Sequence, residues 1–312
     1  MYALVFPGQG AQKIGMGREL FEAFPSAKAV FEEADDALSE HLTRLIFEGD
    51  ESELTLTKNS QPAIMTVSIA ALRALTDELG ANLAPSCVAG HSLGEYTALV
   101  AAGVISFWDA VRLVRNRGQF MQEAVPEGVG AMAAVLGLDA DGVKNMCEGV
   151  SPDGEISPAN FNSPGQVVIS GLSEYIDKAI ANAKTYGARK AVKLNVSAPF
   201  HSKFMKPAAE KLRIEFEKVS WNPAKYDIIA NVNANPVNTP DEIRDSLYRQ
   251  TFSPVLWENS VMYMTDTLKI DTFYELGPGE VLSGLIKRCK KGVNIKAGGT
   301  PETLEAIREC LH

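Results

Sequence analysis

Apolar and polar positions along this chain follow two different grammars. The opening YALVFPGQG is a short apolar run that breaks into Pro and Gly, as a buried strand does where it enters a loop. Apolar residues at helical spacing then predict helices around residues 17–43 and in QPAIMTVSIAALRALTDEL. SCVAG reads as a strand and LGEYTALVAAG as a helix stopped by Gly103. SFWDAVRLVRNRGQFMQEAV reads as a further helix, with Ser106 and Asp109 at capping-box spacing. Strands followed by helices in this order predict a parallel sheet covered on both faces.

Near residue 128 the grammar changes. GAMAAVLGL reads as a strand, DADGVKNMCEGV as a short helix, and EISPANF and QVVISG as strands joined by the turn residues NSPG. SEYIDKAIANAKTYG is a helix and ARKAVKLNV a closing strand. The order β-α-β-β-α-β is that of a ferredoxin-like module. Residues 127–197 are therefore expected to form a small α+β subdomain inserted into a large α/β domain of residues 1–126 and 198–312. Strands at YDIIANV, DTFYEL and VNIKAG resume the first pattern, and no internal repeat or low-complexity tract interrupts it.

Composition narrows the function classes. A chain of 312 residues, 46% hydrophobic and 22% charged, is that of a soluble globular protein with a sizeable core. No apolar run reaches the length of a membrane span, and no signal peptide is expected ahead of the first strand. A net charge of -9 argues against a general nucleic-acid binder. Cys87, Cys147, Cys289 and Cys310 lie far apart with no CxxC pair, which fits reduced thiols in a cytoplasm better than a disulfide framework or a zinc site. Two basic clusters stand out locally: Lys287, Arg288, Lys290 and Lys291, and Arg189, Lys190 and Lys193. Each is either a solvated element end or a docking surface for an acidic partner.

The candidate chemistry starts at GHSLG, which matches the G-x-S-x-G nucleophile elbow around Ser92. A surface turn would give the same letters; the strand before and helix after are the context an elbow requires. A serine nucleophile needs a base. Of four histidines, His41 and His312 are expected to be solvated, and His91 to point away from the Ser92 hydroxyl. His201, in SAPFHSKFM, is left as either the base or a structural loop residue. No strand-end carboxylate suggests itself as a triad acid, so a backbone carbonyl is the alternative orienting group. Along the following helix, Arg112 and Arg115 fall outside the stripe of Ala110, Val111, Val114, Gly118, Met121 and Val125 and are expected to be solvated. Arg117 falls inside it, which demands either a structural ion pair or a substrate carboxylate. The Gly-rich loop FPGQGAQ makes the Gln9 N–H, with that of Leu93, the candidate pair for an oxyanion hole.

Taken together, FPGQGAQ, NSQPA, GHSLGEY, RNRGQFMQ, GAMAAVLGL, NFNSPGQVVISG, PFHSKFM and ELGPGEVLSGL resemble the malonyl-CoA:acyl-carrier-protein transacylases, acyltransferases of fatty-acid synthesis. The resemblance runs over essentially the whole chain. It implies a hydrolase-like α/β domain carrying an inserted ferredoxin-like α+β subdomain. It implies Ser92 as acyl-accepting nucleophile, His201 as general base and acid, Arg117 as the anchor of the malonyl carboxylate, Gln9 and Leu93 N–H groups as the oxyanion hole, and the Gln250 carbonyl as the group that orients the histidine. Phe200 resembles the residue of malonyl-selective members, and Met121 and Met132 are assigned with it to the substrate pocket. The implied reaction is ping-pong transfer from malonyl-CoA to the phosphopantetheine thiol of acyl carrier protein. No metal or redox cofactor is implied, and a monomer is expected. Because carriers are acidic, Arg189, Lys190, Lys287, Arg288 and Lys290 are the expected docking residues. A stand-alone polyketide acyltransferase, a serine thioesterase or esterase, and a catalytically silent carrier-binding scaffold are the alternatives.

Overall fold

A computed structural model describes residues 1–196 and 198–311. The expectation for His312, and the subdomain limit placed at 197, fall outside the described residues. Ten strands form, in chain order β1 (Tyr2–Phe6), β2 (Cys87–Gly90), β3 (Gly130–Leu136), β4 (Ile156–Ser163), β5 (Gln166–Leu172), β6 (Lys190–Lys193), β7 (Asp227–Ile229), β8 (Pro236–Val237), β9 (Thr272–Leu276) and β10 (Asn294–Gly298). They build a six-stranded sheet of order β10-β9-β1-β2-β7-β8 and a four-stranded sheet of order β4-β5-β3-β6. The large sheet is parallel except for β8, a two-residue edge strand that pairs antiparallel with β7 and was too short to be read from the sequence.

Strand periodicity divides the large sheet's side chains between two cores. Ala3, Val5, Cys87, Ala89, Ile229 and Phe273 face one side, against Val255, Trp257, Val261, Met264 and Leu285. Leu4, Phe6, Val88, Ile228 and Leu276 face the other, against Ile64, Leu99, Val111 and Val114. Both faces are thus covered, which is why these strands read as continuous apolar runs rather than as alternating ones. The helix Thr57–Arg73 is buried from Asn59 to Ala71 on every side. The sequence suggested a start at Gln61, where Pro62 favours a first turn; the helix begins four residues earlier and so carries Gln61 inside it. YDIIANV contributes only Asp227–Ile229 to β7, because the chain turns away with Ala234 in a left-handed conformation (φ 55°) and frees Asn231 for the site.

In the small sheet the strand order, rewritten from the module's own start, is second, third, first, fourth, all antiparallel. Ala131, Ala133, Val135, Val167 and Ile169 lie under the helices Ala140–Val150 and Ser173–Asn182. Met132 and Val168 alternate to the opposite face, where they meet Met121, Phe200, Met205 and Ala208 of the large unit. Strand β4 fastens the module in place. Phe161 N–H donates to the Val255 carbonyl (2.9 Å), Val255 N–H donates to that of Ala159 (2.8 Å), and Asn162 bonds His91. Among the described residues no helix is long and apolar enough to cross a membrane.

Candidate active site

The elbow is built by sterics. Ser92 has φ 54° and ψ -105°, between β2 and the helix Leu93–Ala101. A β-carbon at Gly90 would lie 2.0 Å from the Gly94 carbonyl, and one at Gly94 would lie 2.2 Å from the Phe6 oxygen. Only glycine fits at either place, and this lets the chain turn sharply enough to present the Ser92 hydroxyl to the cleft. The loop FPGQGAQ packs directly on this turn: a β-carbon at Gly8 would come within 2.4 Å of the His91 oxygen.

Ser92-Leu93-Gly94-Glu95 has the spacing of a capping box, in which serine and glutamate would satisfy each other's backbone N–H groups. The structure declines that arrangement. The Ser92 hydroxyl makes no cap bond, and the Ser92 N–H donates instead to Asn231 Oδ1 (2.7 Å). The hydroxyl lies 2.8 Å from His201 Nε2, while His201 Nδ1 lies 2.9 Å from the Gln250 carbonyl oxygen. A carbonyl can only accept, so Nδ1 carries the hydrogen and Nε2 offers its lone pair to Ser92. Burial, reinforced by the Arg117 guanidinium, pulls the His201 pKa down to about 3, and the ring is neutral near pH 7. Glu275 is a buried carboxylate at the end of β9, but it accepts from Leu282 N–H, Ser283 N–H and Ser283 Oγ. It caps the helix Val281–Cys289 and is spent there.

Arg117 is 1% exposed and has no carboxylate in hydrogen-bonding contact among the described residues. Nη1 donates to Gln61 Oε1 (2.7 Å), Nη2 donates to Gln250 Oε1 (2.9 Å) and to Ser92 Oγ (3.0 Å), and Tyr96 lies beneath the guanidinium at 5.4 Å. A buried cation held by neutral amides beside a nucleophile is poised for an anion that arrives from outside. The structural ion pair belongs to Arg115, and here the sequence reading needs correction. Arg115 is buried, not solvated, donating to the Lys58 carbonyl (3.0 Å), to Asn59 and to Glu40. A single-helix wheel cannot see the groove against the helix Thr57–Arg73, whose first turn supplies Lys58 and Asn59, nor Glu40, which follows the helix Pro25–Leu38.

These groups converge on a cleft of about 470 Å³, lined among others by Gln9, Gln61, Met121, Met132, Asn160 and Phe200. Among the described residues neither the Gln9 N–H nor the Leu93 N–H donates to a protein acceptor; Gln9 lines the cleft, and Leu93 directly follows Ser92. His91 faces away from the hydroxyl, its Nε2 2.8 Å from Asn162 Oδ1. Arg189, Lys190, Lys287, Arg288 and Lys290 do not line the cleft. Arg288 reaches Gln166, which stands beside Leu136 and then Lys190 in one row across the small sheet, while Lys290 pairs with Asp266 (2.7 Å).

Sequence reasoning missed Glu95, Asn231 and the side chains of Gln61 and Gln250. The one available signal was the S-x-x-E spacing; the others are amides on distant segments that only the fold assembles. Glu95 is 1% exposed, and burial raises its pKa to about 7, against the lowering effect of the Asn231 N–H, Gln250 and Arg117. Its linkage to folding opposes that of His201. From pH 6.5 downward the unfolded chain binds a proton at His201 that the folded one refuses until about 3, so His201 loses stability on acidification. From about 7 down to 4.5 the folded chain binds a proton at Glu95 that the unfolded one lacks, so Glu95 gains it. The two offset between 6.5 and 4.5. Urea unfolding of Glu95→Gln is therefore expected to show stability falling from pH 6.5, where the parent stays nearly level; parallel curves would contradict the assignment.

Residues 3–303 match the acyl transferase domain family. The chain is 48% identical over 310 residues to the malonyl CoA-acyl carrier protein transacylase of Bacillus subtilis (strain 168), covering 99% of this chain and 96% of that one. It superposes on the acyl-carrier-protein S-malonyltransferase of Bartonella henselae with a TM-score of 0.96 at 44% identity, covering 99% of both chains. A third likeness, with a TM-score of 0.95 at 43% identity and 99% coverage of both chains, is to PlMCAT in complex with holo AntF, a type II PKS acyl-carrier protein bound to its malonyl-transacylase. With its elbow, its buried arginine and its full-length match, this chain belongs to the acyl transferase domain family.

Proposed function

We propose that this protein transfers the malonyl group of malonyl-CoA to the phosphopantetheine thiol of an acyl carrier protein, through a malonyl ester on Ser92, and so supplies chain elongation in fatty-acid synthesis. The observation that carries the reading is Arg117, a buried cation with no carboxylate in hydrogen-bonding contact among the described residues, whose Nη2 lies 3.0 Å from the Ser92 hydroxyl. It supports a substrate that brings an acyl carbonyl and a free carboxylate together.

In the first half-reaction His201 Nε2 takes the Ser92 proton as Oγ attacks the thioester carbonyl. Negative charge moves to the carbonyl oxygen, which the Gln9 and Leu93 N–H groups receive. Collapse breaks the C–S bond, and the imidazolium returns its proton to the departing coenzyme A thiolate. The Gln250 carbonyl holds Nδ1–H throughout and fixes the tautomer. Met121, Met132 and Phe200 wall the acyl group, and Arg117 turns its carboxylate away from the reacting carbon. The carrier thiol then gives its proton to His201 and attacks the ester in the same geometry; collapse breaks the C–Oγ bond, and the imidazolium returns that proton to Ser92. The thioester is already activated, so this route uses no metal or redox cofactor.

For carrier docking, Arg189, Lys190, Lys287 and Arg288 are the favoured residues, since Arg288 bonds Gln166, Lys190 stands two strands along in the same row, and Arg189 and Lys287 are their chain neighbours. Lys290 contributes less because Asp266 already holds it. Mass spectrometry after exposure to malonyl-CoA tests the whole reading: a malonyl adduct on Ser92, discharged by holo carrier, is the expected result. Free malonate without a carrier requirement would indicate a hydrolase instead. Running the discharge with a fatty-acid carrier and a polyketide carrier separates the two pathways. Arg189→Glu combined with Lys190→Glu is expected to raise the KM for carrier and leave loading by malonyl-CoA unchanged; equal KM values would remove this surface from the account.

A further inference from the structure

The buried carboxylate of Glu95 has no part in the reaction just described, yet through Gln250 and Asn231 it is wired to Ser92, Arg117 and His201. Its Oε2 accepts from the Asn231 backbone N–H (2.9 Å) and from Gln250 Nε2 (3.0 Å), and its Oε1 faces Ser246 Oγ at 3.5 Å. Gln250 Nε2 also donates to the Ser92 carbonyl oxygen (2.9 Å). Both hydrogens of that amide are therefore committed to acceptors. Its oxygen is left facing Arg117 Nη2, the nitrogen that also donates to the Ser92 hydroxyl. The same residue's backbone carbonyl holds His201 Nδ1. On the other side, Asn231 accepts the Ser92 N–H at Oδ1 and donates to the Gly90 carbonyl from Nδ2 (2.7 Å), so its two amide atoms grip both ends of the elbow. Among the described residues Glu95 is the single carboxylate hydrogen-bonded to this network.

We propose that Glu95 is a positioning residue: by accepting from the Gln250 side-chain amide and the Asn231 backbone N–H it fixes which way the Gln250 amide points and where Asn231 stands, and through them the aim of Arg117 and the seat of Ser92. The proposal rests on the malonyl-transfer reading above and adds a residue to it. What matters is the acceptor at Oε2, not a contact with substrate. A carboxamide at 95 can supply the same oxygen and turn its NH2 toward the lone pairs of Ser246 Oγ, which keeps the network whole. Alanine removes the acceptor and leaves two buried N–H groups unsatisfied. Aspartate keeps the charge but withdraws it by one methylene.

The test is the single-turnover rate of Ser92 acylation, followed by intact mass, with malonyl-CoA and with acetyl-CoA, in proteins whose near-UV circular dichroism matches the parent. Glu95→Ala and Glu95→Asp are expected to slow malonyl loading by about 100-fold, the cost of misplacing a reacting group by around 1 Å. They should also narrow the malonyl-over-acetyl ratio, which a purely structural role would leave alone. Glu95→Gln is expected to restore both rate and ratio to within a few-fold of the parent. Folded alanine and aspartate variants that load at the parent's rate and ratio would overturn the proposal. So would a Glu95→Gln as slow as the alanine variant, because charge rather than the acceptor would then be the requirement. Should alanine fail to fold, the aspartate and glutamine variants carry the comparison. A parent enzyme that never labels at Ser92 would instead refute the malonyl-transfer reading.

Discussion

His201→Ala is expected to slow acylation of Ser92 by malonyl-CoA about 1,000-fold or more, with little change in the KM for malonyl-CoA. Among the described residues the ring is the one base in hydrogen-bonding contact with the hydroxyl, at 2.8 Å, and the Gln250 carbonyl sets its tautomer. Without it the serine must lose its proton to water, a far weaker base than the imidazole. The pH profile adds a second signature. His201 is held neutral down to about 3, so kcat/KM should show no acid limb at the ordinary histidine value of 6.5. The kinetic check is a burst experiment at saturating malonyl-CoA across pH 5 to 8. A variant within tenfold of the parent would mean that another group takes the proton.

Arg117→Ala is expected to lower kcat/KM for malonyl-CoA by about 100- to 1,000-fold, the cost of losing one partner of a buried charge pair. Loading by acetyl-CoA, which has no carboxylate to place, should stay level or rise. Preference for malonyl would then collapse, and comparison of the two thioesters reads it directly. Arg117→Lys is not expected to rescue it. The guanidinium spans Gln61, Gln250 and Ser92 with one planar fork, and an ammonium cannot meet all three from one point. Unchanged preference in the alanine variant would place the carboxylate anchor elsewhere.

The fold and part of the site could be read from local pattern, and the physical reason is the same in both cases. The parallel sheet announced itself through apolar runs between glycines, and the inserted module through its change of order. Ser92 was legible because an elbow needs glycines at fixed offsets. His201 emerged by elimination among four histidines, and Arg117 because a charge interrupts an apolar stripe. Arg115 shows where such reasoning stops: its acceptors, Lys58, Asn59 and Glu40, lie more than fifty residues away in the chain. The amides of Gln61, Asn231 and Gln250 are invisible for the same reason. Each is an unremarkable polar residue until the fold brings it beside a buried cation or an elbow.

The left-handed serine has a companion. His201 also sits at positive φ (56°), so both partners of the proton transfer occupy backbone conformations that cost on the order of 1–3 kcal/mol each unless their surroundings hold them. The holding comes from elsewhere, from the Phe6 carbonyl packed on Gly94 and from the Gln250 carbonyl on the ring. The active geometry is therefore held by packing rather than by the local backbone preference of either residue, so a substitution that loosens the elbow or the histidine loop acts on the Oγ–Nε2 contact without touching either side chain.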